Sequence, residues 1–327
     1  MTQLTIKNSP FTIHNSPSPA LEAHIGRTPL LPLARLTEAA GLPPTVELHA
    51  KAEWFNPSGS IKDRAAQNIL HTAETSGRLQ RGQTILDSTS GNMGIAYAML
   101  AAVRGYHLRL VMPANVGTAR LAILRQYGVE LVLTDPALGS NEAVREARRQ
   151  AAADPDLFYA NQYDNPANWQ AYYHTLANEI WWQTGGRLTH FVVGVGSSGT
   201  FMGTTRRLRE LNLAIRCVAV HPATAADGST IKGLKHMPTA IQPAIYNPLA
   251  ADAHLTVTQT EVAQMQKLLA IHEGLFVGPS SAANVAATLR LARTLPHGRL
   301  ITVLPDNGHK YVDCGMRIGE CGLRNEC

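Results

Sequence analysis

Trp54-Phe55-Asn56-Pro57-Ser58-Gly59-Ser60-Ile61-Lys62-Asp63-Arg64 joins an extended segment to a helix, and the reading of the whole chain turns on that junction. Val46 to Trp54 shows partial alternation of apolar and polar residues, as a half-buried strand does. Asn56 to Ser60 is built from residues that bend a chain or cap a helix. From Lys62 no breaker intervenes before Gly77, and Ser58 or Ser60 is placed to cap the first turn. Lys62 is therefore predicted at a helix start, where unpaired backbone N–H groups lower the proton affinity of an ammonium. A lysine tuned in this way is a nucleophile or base near neutral pH. A solvated surface lysine satisfies the same local pattern, so the stretch needs the rest of the chain beside it.

Upstream, Thr28 to Leu36 reads as a further strand. Downstream, short apolar strands alternate with helices: helix 62–76, strand 84–88, helix 92–104, strand 107–112, helix 117–127, strand 129–134 and helix 140–153. After Leu157 come a long helix near 167–184, strand 190–195, helix 200–211 and strand 214–220. An irregular stretch, 222–250, precedes strand 254–258, helices 259–273 and 280–294, and strand 299–304. This rhythm predicts an α/β protein with mostly parallel sheets covered on both faces, as two domains meeting near residues 155–160. Ligands in such sheets bind at the C-terminal ends of strands.

The chain has 327 residues, 45% hydrophobic and 16% charged, which suits a globular protein with ample core. Its net charge of +5 is scattered. Arg206-Arg207-Leu208-Arg209, the one basic cluster, has helical spacing and reads as a solvated face, so no nucleic-acid partner is expected. Residues 1–20 read as a mobile arm without a signal peptide's apolar core, and Ile95 to Val103 is too short to span a bilayer. A cytoplasmic protein with no membrane partner is the expectation. Cys217 falls in a core strand, while Cys314, Cys321 and Cys327 crowd the tail at spacings unlike those of zinc sites, so no metal is expected.

Three further strand-to-helix turns carry chemistry. Asp87-Ser88-Thr89-Ser90-Gly91-Asn92 presents backbone N–H groups and hydroxyls in one concave turn suited to an anion. Gly194-Val195-Gly196-Ser197-Ser198-Gly199-Thr200 follows a buried strand, and its glycines let backbone approach a phosphate. A dinucleotide reading of that loop lacks its acidic partner. Gly278-Pro279-Ser280-Ser281 opens another helix, which Ser280 is also placed to cap.

Taken in order with the Lys62 stretch, these motifs resemble the cysteine synthase family of pyridoxal 5'-phosphate (PLP) enzymes. The similarity runs from His24-Ile25-Gly26-Arg27-Thr28-Pro29-Leu30 to Asp306-Asn307-Gly308-His309-Lys310-Tyr311. Tyr159 to Asn168 is most similar to the branch that includes O-phosphoserine-dependent enzymes. The resemblance implies fold type II, similar to the tryptophan synthase β chain. A smaller substrate-carboxylate domain would span 56–157 and a larger PLP-phosphate domain 21–55 plus 158–313, with a cysteine-containing tail at 314–327. It implies that Lys62 bonds the cofactor, and that Gly196, Ser197, Ser198, Gly199 and Thr200 cradle its phosphate. Asn92 would meet its phenolic oxygen and Ser280 its ring nitrogen; Thr89, Ser90, Met93 and Gln162 would hold the substrate carboxylate. Many members carry glycine where Ser198 stands, and the serine adds a donor.

The implied reaction is β-replacement on O-acetyl- or O-phospho-L-serine by a sulfur donor, through an aminoacrylate, giving L-cysteine or an analogue. Lys62 would remove and return the Cα proton. A hydroxyl at Ser280 leaves the ring nitrogen unprotonated, which favours prompt loss of the β-substituent. Lys235 falls near the arginine of the phosphoserine-using branch and is a candidate contact for an anionic leaving group. His221 and His236, on the same irregular stretch, read as structural. A thiocarboxylated carrier protein is one candidate sulfur donor, and a homodimer is expected. The alternatives are a cystathionine β-synthase-like or other β-substituted alanine synthase, and a non-catalytic relative that would need none of Lys62, Asn92, Gln162 and Ser280.

Overall fold

The computed structural model describes residues 19–223 and 231–312, so the tail with Cys314, Cys321 and Cys327, nearly all of the predicted arm, and part of 222–250 lie outside it. The strands are β1 (Leu30–Pro32), β2 (Val46–Ala52), β3 (Thr84–Ser88), β4 (His107–Pro113), β5 (Glu130–Thr134), β6 (Leu157–Tyr159), β7 (His190–Gly194), β8 (Arg216–Pro222), β9 (Ala253–Val257) and β10 (Gly298–Leu304). They form a six-stranded sheet, β1-β2-β10-β7-β8-β9, and a four-stranded sheet, β5-β4-β3-β6. Among the described residues only β1 pairs antiparallel, with β2, and every other ladder is parallel. β10, the last strand, lies between β2 and β7, so residues near both ends of the described chain meet in the middle of the larger sheet.

The two-residue period of the strands sorts their side chains onto two faces. Ile85, Leu108 and Leu110 pack with the helices Lys62–Thr75 and Asn92–Arg104, while Leu86 and Val111 point the other way, against Ala143 and Ala147 of the helix Gly139–Ala153. In the larger sheet Phe191, Val193, Cys217, Ile301 and Val303 join the first of these cores. Val192, Val218, Val220 and Leu300 face a second, with the helices Gln259–Glu273 and Pro279–Ala292. Both sheets therefore have helices on each face, and one core cluster runs between them.

Two predicted elements differ. Thr28 to Leu36 is a strand only over Leu30–Pro32 and then turns into the helix Ala34–Ala39, which buries Leu36 beside Leu33. Ala, Arg and Leu are strong helix formers, and the chain turns at Leu33, straight after Pro32. The long helix near 167–184 is two helices, Pro166–His174 and Leu176–Thr184, broken at Thr175 with φ −115° and ψ −75°. The Thr175 hydroxyl donates to the Ala171 carbonyl at 2.6 Å, the back-bonding that bends helices. No described helix is long and apolar enough to cross a membrane.

Candidate active site

Lys62 opens the helix Lys62–Thr75 where β2 and β10 end side by side. The Ile61 N–H donates to the Pro305 carbonyl at 2.9 Å, and Ser60 bridges to Asp306, so the loop before Lys62 is stitched to the exit of β10. Gly59 turns that loop with φ +78°, a region glycine enters without steric cost. The expected serine cap takes another form. Ile61 holds the capping position with no side-chain bond, Ser60 Oγ accepts only at 3.3 Å from the Lys62 N–H, and the Ser58 N–H donates to Asp63 at 2.7 Å. Burial pushes the Asp63 carboxyl up to about 6, against the pull of its Ser58 bonds.

Lys62 Nζ donates to Ser197 Oγ at 3.3 Å. Its pKa falls to about 8, and the cause is burial, partly offset by the Asp306 carboxylate. The lowered proton affinity expected from the helix terminus thus comes from desolvation.

Behind Lys62 lies a buried ionic quartet. Arg64 Nε and Nη2 meet Glu53 at 2.7 and 2.8 Å, and Nη1 and Nη2 meet Glu179 at 2.6 and 2.8 Å. Lys51 donates to Glu179 at 2.8 Å and to the Thr28 carbonyl at 2.7 Å. Burial drives Glu179 upward, but Arg64 and Lys51 outweigh it and hold the carboxyl at about 2. The quartet fixes the helix that carries Lys62 to β2 and to the helix Leu176–Thr184.

The turn after β3 stands opposite. Asp87, fully buried, accepts from the Ser88 N–H at 2.8 Å and the Gln162 N–H at 3.3 Å, while Gln162 Nε2 donates to the Ser88 carbonyl at 3.0 Å. The two halves of the expected carboxylate clamp, Thr89 to Met93 and Gln162, are thereby tied together. Thr89, Ser90, Met93 and Gln162 line one cavity of about 520 Å³ with Lys62, Gly196 and Ser197.

The loop after β7 leads into the helix Gly199–Leu211, whose first N–H groups have no carbonyl one turn back to bond. Gly196 and Gly199 have no room for a side chain: a Cβ would come within 2.6 Å of the Gly233 carbonyl and 2.0 Å of Asn168 Oδ1. Ser198 adopts φ +68°, and its buried hydroxyl has no partner. The serine brings a strained backbone, because Cβ crowds the left-handed region. Ser280 is buried at the start of the helix Pro279–Ala292, where Gly278 holds the capping position, and no capping bond from Ser280 is formed. It lines a narrow cavity of about 50 Å³ together with Lys62, Asn92, Gly196, Ser198 and Thr200.

Lys235 lines the larger cavity with its Nζ 3.9 Å from the Tyr163 ring centroid and 3.2 Å from the Ile241 carbonyl. Burial lowers its pKa to about 8, with Asp164 opposing. His221 pairs with His254 at 3.0 Å, whereas His236 lines the cavity and bonds Thr239 Oγ1 at 2.9 Å. Arg120 and Lys232 also line it, and no Asp or Glu does so among the described residues. Sequence reasoning gave no role to Asn168, whose Nδ2 links the Gln162 carbonyl at 2.6 Å to Ser197 Oγ at 3.2 Å, or to Asp306 and Lys310, which hold Asn92. Asp306 and Lys310 fell inside a quoted motif, but nothing local marks a residue that acts through another. Among the described residues no group of three or more metal-ligating side chains occurs.

The sequence matches the family described as pyridoxal-phosphate dependent enzyme over residues 21–306. The chain belongs to that family. It is 41% identical to the cysteine synthase of Aquifex aeolicus over 297 residues, which covers 89% of this chain and 90% of that one. It is 38% identical to cysteine synthase B of Escherichia coli, covering 90% and 95%. Among solved structures it resembles an O-ureido-L-serine synthase, with TM-score 0.83, 35% identity and coverage of 94% and 96%. The protein is thus a PLP-dependent enzyme of the cysteine synthase type with a fold-type II architecture. Its residues fit the cofactor. An unpartnered, buried Ser198 hydroxyl and a helix N-terminus make a cradle for phosphate, with the Lys62 amine beside it.

Proposed function

We propose that this enzyme replaces the β-substituent of an O-activated L-serine, O-acetylserine or O-phosphoserine, with a sulfur nucleophile, yielding L-cysteine. The observation that carries the reading is the placement of the Lys62 amine, 3.3 Å from Ser197 Oγ and on the wall of the cavity that Thr89, Ser90 and Gln162 also line. Bound PLP supplies an electrophilic carbon for the substrate amine and a ring that accepts the electron pair left at Cα.

The chain's own residues do the rest. Gly196 to Thr200 hold the phosphate, Asn92 the phenolic oxygen and Ser280 the ring nitrogen. Backbone N–H groups of Thr89, Ser90 and Met93, with Gln162, hold the substrate carboxylate. Lys62, with its pKa lowered to about 8, takes the Cα proton as a free amine and returns it after the new C–S bond forms. The β-substituent leaves with its bonding electrons, and the incoming sulfur supplies the pair that replaces them. Residues 56–157 act as the carboxylate-binding domain and 21–55 with 158–313 as the phosphate-binding domain, so that their approach excludes water.

The cationic wall of Arg120, Lys232 and Lys235 favours an anionic leaving group or nucleophile. Sulfide, thiosulfate and a thiocarboxylated carrier protein all meet that condition. A homodimer and a cytoplasmic location belong to the same reading, and sedimentation tests the first. The test of the reaction is the visible spectrum of the purified holoenzyme on adding O-acetylserine or O-phosphoserine without a sulfur donor. A new band that persists until sulfide is added supports the reading and names the leaving group. A protein that takes up no PLP supports a non-catalytic relative instead.

A further inference from the structure

Asn92 has its side-chain amide clamped from both ends by opposite charges. Its Nδ2 donates to Asp306 Oδ2 at 2.7 Å, and its Oδ1 accepts from Lys310 Nζ at 3.3 Å. An ammonium only donates and a carboxylate oxygen accepts, so the amide fits this site in one orientation. The reversed amide would set N–H against the ammonium and carbonyl against the carboxylate, turning two charge-assisted bonds into two repulsions.

Both clamping groups are themselves fixed. Lys310 Nζ also donates to the Ser58 carbonyl at 2.8 Å and the Gly59 carbonyl at 3.3 Å, in the loop that delivers Lys62. Asp306 is fully buried, and its Oδ2 takes the Tyr311 hydroxyl at 2.7 Å. Its Oδ1 lies against Gly278, where a Cβ would come within 2.1 Å. Arg120 covers the Tyr311 ring at 4.7 Å.

We infer that Lys310 and Asp306 are positioning residues that make Asn92 present an N–H, rather than its carbonyl, to the phenolic oxygen of bound PLP. The inference rests on the assignment of Asn92 above. Nδ2 has two hydrogens, Asp306 takes one, and the second is the donor left for the cavity that Asn92 shares with Lys62. A donor at that oxygen favours its anionic form, with the proton on the Lys62 nitrogen. A carbonyl there would favour the opposite tautomer. Lys310 further couples the two sides, because one ammonium holds both Asn92 and the carbonyls just before Lys62.

The test reads the balance of the long- and short-wavelength bands of the PLP-loaded enzyme without substrate, since these report where the proton sits. Lys310→Met is expected to lower the long-to-short ratio about three- to tenfold, the span of one hydrogen bond. Lys310→Arg, which keeps a cationic donor, is expected to restore most of it. Asp306→Asn keeps the volume, reads the same amide from its other end and is expected to shift the ratio the same way; it decides if Lys310→Met does not load. Asn92→Ala separates the two ideas. An unchanged ratio there overturns the assignment of Asn92. A shifted ratio there with unchanged ratios in Lys310→Met and Asp306→Asn overturns the positioning role alone.

Discussion

Arg64 Nη1 lies 2.6 Å from Glu179 Oε1, two residues along the helix from Lys62, and the guanidinium's other edge is taken by the wholly buried Glu53. A buried ion pair is costly to assemble and costlier to break, because removing one partner leaves a charge in a medium that cannot solvate it. Arg64→Met is expected to destabilise the protein by about 3–5 kcal/mol. Adding Glu53→Gln to it should recover part of that loss, since the stranded charge is then gone. Denaturant unfolding of the two single variants and the double variant checks this. A double variant as unstable as the sum of the singles would mean that the quartet acts only through packing.

Asp87 gives a pH signature. Burial lifts its carboxyl from the ordinary 3.8 to about 7, against the N–H groups of Ser88 and Gln162. Tyr97, Tyr159, Tyr163 and Asp164 are the other titratable groups around it. Between about pH 4 and 7 the folded protein keeps a proton that the unfolded chain has released. This contribution to stability is complete below the unfolded value and is lost as pH rises through the folded one. Asp87→Asn removes the dependence, so the Tm of the variant minus that of the wild type should climb from pH 5 to pH 7 and then level. The underlying slope is at most about 1.4 kcal/mol per pH unit. Asp63, also raised, contributes to both proteins alike and cancels in the difference. Parallel curves would show that Asp87 does not titrate in this range.

In the proposed phosphate site, Ser198 would set affinity against strain. At φ +68° a non-glycine residue costs about 1–2 kcal/mol, part of which glycine returns through its greater unfolded entropy. Ser198→Gly should therefore raise the Tm of the cofactor-free protein, by about 0.5–1 kcal/mol of stability. It should also weaken PLP binding by about tenfold through the lost hydroxyl donor. Thermal melts and a PLP titration give the two numbers separately. Tighter PLP binding in the variant would remove Ser198 from the phosphate site.

What could be read in the sequence was what local chemistry writes there. The alternation of apolar strands with helices gave the parallel sheets, and the glycine- and serine-rich turns gave the lining of the cavity around Lys62. Leu33 to Leu36 reads as strand because TPLLPLARL is apolar at every position but Thr28 and Arg35, so periodicity cannot separate a strand from a strand followed by a short helix. The break at Thr175 turns on one hydroxyl bonding backward, a choice set by geometry. The cause of the Lys62 shift was misassigned because burial is a tertiary property, whereas a helix start is a local one. Asp306 and Lys310 reach Asn92 across more than two hundred positions of sequence. No spacing rule joins residues so far apart.

The proposed contact of Lys235 with the leaving group separates the two activated serines. Its ammonium lies over the Tyr163 ring and spends one donor on the Ile241 carbonyl, and the residue lines the cavity. Burial has already lowered its pKa to about 8, so a substrate phosphate restores to this cation some of the charge stabilisation it lacks. Lys235→Met should lower kcat/KM for O-phosphoserine about ten- to hundredfold, as expected for a charge-assisted hydrogen bond, and leave that for O-acetylserine within about twofold. In the wild type, the ratio of kcat/KM for O-phosphoserine to that for O-acetylserine, in which the shared Lys62 limb cancels, should fall with loss of one proton above about pH 8, and in Lys235→Met that fall should vanish. Steady-state assays with both substrates across pH 6 to 9 check both expectations. Equal losses for the two substrates would mean that Lys235 shapes the cavity without reading the charge of the leaving group.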